Sequence, residues 1–214
     1  MPQNLNHIRH WVFDLDNTLY QPSIRLFDQI EVKMRDYIVS NLKLTPQAAD
    51  TLRYVYWRRY GTTLVGLMQE HDIDPDPFLE QVHDIDFSKL PKNHALAKAI
   101  EALPGRKIIY TNGTATYAQK VVNALGLGGR FDAFYGIEHA AYHPKPKSEA
   151  YAIIFGDEDL QANQSAMFED DPRNLNVPHQ LGLKTILVNA SNTEDKPHID
   201  YQTNDIAQFL RQIV

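Results

Sequence analysis

Two aspartates one residue apart, Asp14 and Asp16, close the apolar run Trp11-Val12-Phe13, and Thr18 follows two residues later. Trp, Val and Phe suit a short buried strand, so Asp14 is expected at that strand's carboxyl end. Side chains at i and i+2 of an extended segment point the same way, which lets both carboxylates address one small volume. Carboxylates that close repel each other unless one takes up a proton or a cation neutralises them. The pair therefore suits a divalent metal or acid–base work. The bland reading is a pair of solvated turn aspartates, with Asn17 and Thr18 as ordinary turn formers. It loses ground because ligands gather at the carboxyl ends of strands in open α/β sheets.

Three further groups could serve the same chemistry. Thr111-Asn112-Gly113 follows the apolar Ile108-Ile109-Tyr110 and precedes a helical pattern, so a hydroxyl, an amide and free helix N–H groups form a cradle suited to a phosphate. Asn-Gly is also a common hairpin turn pair, but the helical spacing from Thr114 onward argues against a hairpin. His143-Pro144-Lys145-Pro146-Lys147 offers a lysine to neutralise a phosphate and the nearby acids, with Lys145 and Lys147 both eligible. Glu169-Asp170-Asp171 follows Ala166-Met167-Phe168 and reads equally as a hard-cation site or as helix N-cap residues.

The elements that must position these groups fall into two kinds. From residue 20 to 88 the pattern is helical. Phe27, Ile30, Met34, Tyr37 and Ile38 mark one inward face of a helix over 23–42, and Thr45-Pro46 caps a second that Gly61 ends. Shorter helices are expected over 62–70 and 76–83. From about residue 93 strands and helices alternate, with strands over 107–111, 133–137, 166–169 and 184–188, helices between them including one over 173–181, a loop over 189–204 and a last helix over 205–214. Such alternation implies a parallel sheet with helices on both faces. The expectation is an α/β fold: a three-layer Rossmann-like core from 1–19 and 89–214, with an all-helical cap domain, 20–88, inserted after the first strand and placed to act as a lid.

Composition narrows the classes. A net charge of −6 over 214 residues argues against a nucleic acid polymer as partner. Lack of cysteine excludes disulfides, thiolate catalysis and Cys-ligated metal sites. No apolar stretch approaches the ~20 residues of a membrane helix, and the first residues lack the charged-then-apolar pattern of an export signal. A cytoplasmic protein, monomeric or a small homo-oligomer, is expected.

Taken in order, Asp-x-Asp-x-Thr, Thr-Asn-Gly, Lys-Pro-x-x-x-Ala-Tyr and Glu-Asp-Asp, each at a strand end, resemble the four motifs of the haloacid dehalogenase (HAD) superfamily over nearly the whole chain. The stretches Asp14-Leu-Asp-Asn-Thr-Leu-Tyr20, Tyr56-Trp-Arg-Arg-Tyr60-Gly61 through Gly66-Leu67, and Lys145-Pro-Lys-Ser-Glu-Ala-Tyr151 look like its pyrimidine 5′-nucleotidase branch. The resemblance implies that Asp14 is the nucleophile and Asp16 the acid and base. It further implies Mg2+ held by Asp14, the main-chain carbonyl of Asp16 and Asp170, with Glu169 or Asp171 in support. Thr111, Asn112, Gly113 and Lys145 would bind the phosphoryl group, and the motif frame favours Lys145 over Lys147.

The implied substrate is a small phosphorylated metabolite, a nucleoside monophosphate first. A sugar-phosphate phosphatase and a phosphomutase present the same core residues, and a non-catalytic phosphate-binding or signalling domain is a remoter reading. Within the cluster 56–60, the bland reading buries the aromatics and solvates the arginines; Arg59 or Tyr60 are the candidates to face the crevice and contact a base or sugar. The nine histidines show no ligand pattern and are read as surface residues.

Overall fold

The computed structural model describes residues 5–188 and 196–213. Among these, the sheet has six strands, all parallel, in the order β3-β2-β1-β4-β5-β6: β1 His10–Phe13, β2 Arg106–Tyr110, β3 Ala133–Tyr135, β4 Ser165–Glu169, β5 Lys184–Val188 and β6 Tyr201–Thr203. Parallel strands need crossovers, and helices α6 (Ala115–Ala124), α7 (Ser148–Asp157) and α8 (Asn176–Leu181) supply them, with α5 (His94–Ala102) ahead of β2 and α9 (Ile206–Leu210) closing the fold. This is the expected α/β architecture.

Alternation along β1 divides its side chains between the two faces of the sheet. Trp11 and Phe13 join the cluster that includes Leu96 and Ile100 of α5, Tyr117 and Val121 of α6 and Phe209 of α9. Val12 points the other way, into a cluster with Ile108, Met167 and Tyr151, Ile154 and Phe155 of α7. Both faces are thus covered, as an all-parallel sheet requires. Phe13 stacks on Phe168 of the neighbouring strand at 4.7 Å between ring centres, a pairing that contributes on the order of 1 kcal/mol beyond its burial.

The register decides where the chemistry goes. Phe13 lies opposite Ile109 on one side and Phe168 on the other, so the residues that follow them emerge together at one edge of the sheet. Between β1 and α5 run four helices, α1 (Phe27–Leu42), α2 (Pro46–Tyr60), α3 (Thr63–His71) and α4 (Pro75–Val82). The sequence marks their starts well: the side chains of Thr45, Thr62 and Asp74 accept from backbone N–H groups of the first turns of α2, α3 and α4. Gly61 ends α2 at φ +92°, and a Cβ there would sit 3.2 Å from Cγ of Pro144, so the end of α2 comes down against the loop that carries Lys145.

Four expectations need correction. Phe27 is 36% exposed rather than inward: residues 22–24 form a 3-10 turn and Phe27 opens α1, ahead of the stretch that Ile30, Tyr37 and Ile38 bury. The strand expected over 133–137 ends at Tyr135. The helix expected over 173–181 is a 3-10 turn, Pro172–Leu175, running into α8; Pro172 and Pro178 carry no N–H for a continuous α-helical ladder. The loop expected over 189–204 contains β6, a three-residue edge strand too short to show a period, while 189–195 lie outside the described residues.

Candidate active site

Asp14 leaves β1 with its N–H donating to the carbonyl of Phe168 at 2.9 Å, which fixes its carboxylate above the sheet edge. Its Oδ2 accepts from the Thr18 hydroxyl at 2.7 Å and its Oδ1 from the Lys145 ammonium at 2.7 Å. Thr18 is a hydrogen-bonded, buried part of the site, and the Asp-x-x-x-Thr spacing was the only signal for that contact.

Lys145 is 2% exposed and sits at the centre of the cluster. Its ammonium also donates to Oε2 of Glu169 at 2.6 Å and to the carbonyl of Tyr110 at 3.1 Å. Burial alone would push its pKa down, but Asp14 and Glu169 outweigh it and hold it charged. Lys147 lies half-buried at the N-cap of α7, so of the two lysines the structure brings Lys145 to the acids. The Asn112 side chain clasps the Lys145 backbone in both directions, accepting from its N–H at 2.8 Å and donating to its carbonyl at 3.2 Å. The sequence offered Asn112 only as a phosphate ligand, and this second service has no local signature. Thr111 is buried and accepts from the N–H of Gly113 at 2.9 Å, closing the turn into α6.

Asp14, Glu169 and Asp170 can each bring an oxygen within 4.8 Å of the others. Three carboxylates then face one ammonium. Burial pushes the carboxyls of Glu169 and Asp170 up, and Asp14 pushes both further. An all-oxygen donor set with surplus charge fits a hard divalent cation. Asp171 is turned elsewhere: it accepts from the Arg173 N–H at 2.9 Å, capping the 3-10 turn, and pairs with the Arg173 guanidinium at 2.6 Å.

Asp16 presents its side chain differently from Asp14. Its Oδ1 accepts from two phenols, Tyr20 and Tyr117, each at 2.6 Å. Its pKa is raised to about 6, chiefly by burial, and the two phenol hydrogen bonds only partly offset that. A carboxyl in that range can hold and release a proton near neutral pH.

The reading of the histidines as surface residues is wrong for His83. It is buried just past the end of α4, its ring stacked on Tyr117 at 4.4 Å and 13° and within 3.3 Å of the Thr114 hydroxyl. Burial, with Lys120 nearby, lowers its pKa to about 4, so the ring is neutral. The ring it stacks on belongs to α6, far along the chain, and so no periodicity reports it.

Arg59 and Tyr60 are both tied to Glu70 of α3, Arg59 at 3.6 Å and Tyr60 through its hydroxyl. In the same cluster Tyr56 is buried, as the bland reading has it, whereas Trp57 is 40% exposed and carries the Arg173 guanidinium over its ring at 5.0 Å. Trp57 is therefore the member of this cluster that reaches the sheet-edge loops.

A six-stranded parallel sheet with a helical insert after β1, and acids from two strand ends gathered around a lysine, define a class of hydrolase. The chain matches the family model for haloacid dehalogenase-like hydrolases over residues 8–182 and belongs to that family. It is 24% identical over 141 residues to phosphate metabolism protein 8 of Saccharomyces cerevisiae, a match that takes in 61% of this chain and 43% of that protein. The chain thus spans less than half the length of this relative. Among solved structures it is similar in fold to a HAD phosphatase from Thermococcus onnurineus, with TM-score 0.66, 14% identity and coverage of 96% and 97% of the two chains. It is also similar to the putative HAD hydrolase YfnB of Bacillus subtilis bound to magnesium, with TM-score 0.59, 15% identity and coverage of 96% and 98%. Among the described residues no helix is long and apolar enough to cross a membrane.

Proposed function

We propose that this HAD-like hydrolase is a Mg2+-dependent phosphomonoesterase that works through an aspartyl phosphate on Asp14, with a nucleoside monophosphate, pyrimidine first, as substrate. One observation carries the reading: Lys145 lies at hydrogen-bond distance from both Asp14 and Glu169, while Asp16, two residues on, holds its carboxyl apart from them on two phenols.

Asp14, Glu169 and Asp170, with the main-chain carbonyl of Asp16, would hold the cation; bound there, it lets a carboxylate approach a phosphate dianion. A carboxylate oxygen of Asp14 attacks phosphorus as the bond to the ester oxygen breaks. Asp16 gives its proton to that leaving oxygen, so an alcohol departs, and then takes a proton from the water that attacks the aspartyl phosphate. Lys145, the Thr111 hydroxyl and the N–H of Asn112 receive the phosphoryl oxygens and the charge that grows on them, while the Gly113 N–H holds the Thr111 hydroxyl in place.

Asp16 favours phosphate ester hydrolysis over dehalogenation, because displacing a halide leaves no oxygen that needs a proton. The nucleotide preference is supported by the resemblance of 14–20, 56–67 and 145–151 to pyrimidine 5′-nucleotidases. Residues 20–88 act as the lid domain over a core of 1–19 and 89–214. Phosphate release from a panel of nucleoside monophosphates and sugar phosphates, with magnesium and with chelator, tests the proposal. Magnesium-dependent release, greatest for UMP and CMP, is expected. Release favouring sugar phosphates overturns the substrate class, and no release from any ester overturns the chemistry.

A further inference from the structure

We infer that Tyr20 and Tyr117 are positioning residues that fix the proton of Asp16 on Oδ2, and that His83, stacked on Tyr117, ties this positioning to the helical insert. The inference rests on the phosphomonoesterase reading and concerns the proton step within it.

Tyr20 lies on the segment leading from β1 into the insert, and Tyr117 in the first turn of α6, a hundred residues away in sequence. Both hydroxyls converge on one oxygen, Oδ1 of Asp16, and no hydrogen bond among the described residues goes to Oδ2. A carboxyl oxygen has two lone pairs. With both occupied by phenol O–H donors, Oδ1 has no place for a proton of its own. The neutral carboxyl must then carry its hydrogen on Oδ2, the oxygen left free to meet a leaving group. A general acid works only where its proton points at the atom that needs it, and here two donors from separate elements set that direction.

The Tyr117 phenol is itself held by the insert. His83, just past α4, covers its ring face to face at 4.4 Å, and Phe87 lies against it at 6.1 Å. His83 also approaches the cradle: a Cβ placed on Gly113 would lie 3.4 Å from His83 Nε2. The insert therefore touches the residue that aims the acid. When the helices sit down on the core, the Tyr117 ring has one place to be.

The test compares two esters with magnesium present. p-Nitrophenyl phosphate releases a stable phenolate and draws little on a general acid; glycerol 2-phosphate releases an alkoxide and draws on it heavily. The quantity read is kcat/KM, which covers the steps through departure of the alcohol, with thermal melts to confirm folding. Tyr117→Phe and, independently, Tyr20→Phe are expected to lose about tenfold more on glycerol 2-phosphate than on p-nitrophenyl phosphate. His83→Ala should show a smaller loss of the same kind, which His83→Phe, keeping a ring on Tyr117, reverses in large part.

A merely structural role lowers both esters by one factor, and that result, or no loss in the folded tyrosine variants, overturns the inference. Equal values for His83→Ala and His83→Phe overturn its second half. A wild-type protein inactive on both esters overturns the phosphomonoesterase reading and this inference with it, whereas wild-type activity with uniform losses overturns the inference alone.

Discussion

The ammonium of Lys145 lies 2.7 Å from Oδ1 of Asp14, with the two side chains 1% and 8% exposed. The pair joins the loop before α7 to the end of β1, and Glu169 at the end of β4 completes it from the other side of Lys145. Lys145→Met leaves two buried acids without their cation, a loss of about 3 kcal/mol, together with about a hundredfold or greater fall in kcat. Chemical denaturation and phosphate release read the two effects separately. Wild-type stability or turnover in Lys145→Met contradicts the central place of this pair.

Asp170 and Asp171 are neighbours with opposite expectations. Burial, reinforced by crowding with Asp14 and Glu169, raises the Asp170 carboxyl, while Arg173 outweighs burial at Asp171 and holds it low. Asp170→Asn should therefore raise the metal-free melting temperature by relieving repulsion, yet abolish the stabilisation that magnesium gives the wild type. That stabilisation is about 2.7 kcal/mol at a hundred times the dissociation constant. Asp171→Ala should keep the magnesium response and lose only the cap of the 3-10 turn, about 1 kcal/mol. Melts with and without magnesium decide the matter, and a reversed pattern exchanges the two roles.

His83 makes stability depend on pH in a definite direction. Its pKa falls from the ordinary 6.5 to about 4 on folding, so below pH 6.5 the unfolded chain binds a proton that the folded one does not. Stability from the neutral buried ring is complete above that pH and is lost as pH falls toward 4, by up to about 3 kcal/mol. Tyr117 and Thr114 flank the ring, and Lys120 is the charged group that reinforces the shift. The difference in unfolding free energy between wild type and His83→Phe, followed from pH 7 to pH 4, isolates this group from the carboxylates. A difference that does not change with pH contradicts a buried neutral His83.

Gly66 packs α3 against α2 through the Tyr56 ring. A Cβ on Gly66 would fall 2.3 Å from Cγ of Tyr56, so Gly66→Ala must displace the ring and should lower stability by about 1–3 kcal/mol. Urea denaturation at constant m-value checks it; an unchanged midpoint means that the helices separate freely there.

Much of this site can be read along the chain because its residues sit at strand ends, where an apolar run stops at an acid or a Thr-Asn-Gly turn. Asp14, Thr111 and Glu169 all carry that signature, whereas Lys145 sits in the loop before α7, well past the end of β3, and is marked only by its Lys-Pro-x-x-x-Ala-Tyr frame. The α/β alternation and the cap residue Thr45 are legible for the same reason: the pattern is local. What escapes is set by contacts distant in sequence. His83 is buried by Tyr117, Asn112 turns its side chain to the Lys145 backbone, and Asp171 chooses its cap once Arg173 folds back on it. The strand at 201–203 is invisible because three edge residues show no period.

The central claim is that Asp14 takes the phosphoryl group. Phosphate release from UMP in magnesium by wild type and by Asp14→Asn, each shown to be folded, tests it most directly. Release by the wild type with loss of at least about a thousandfold in the variant is the expected result. Magnesium-dependent release persisting in Asp14→Asn contradicts the account.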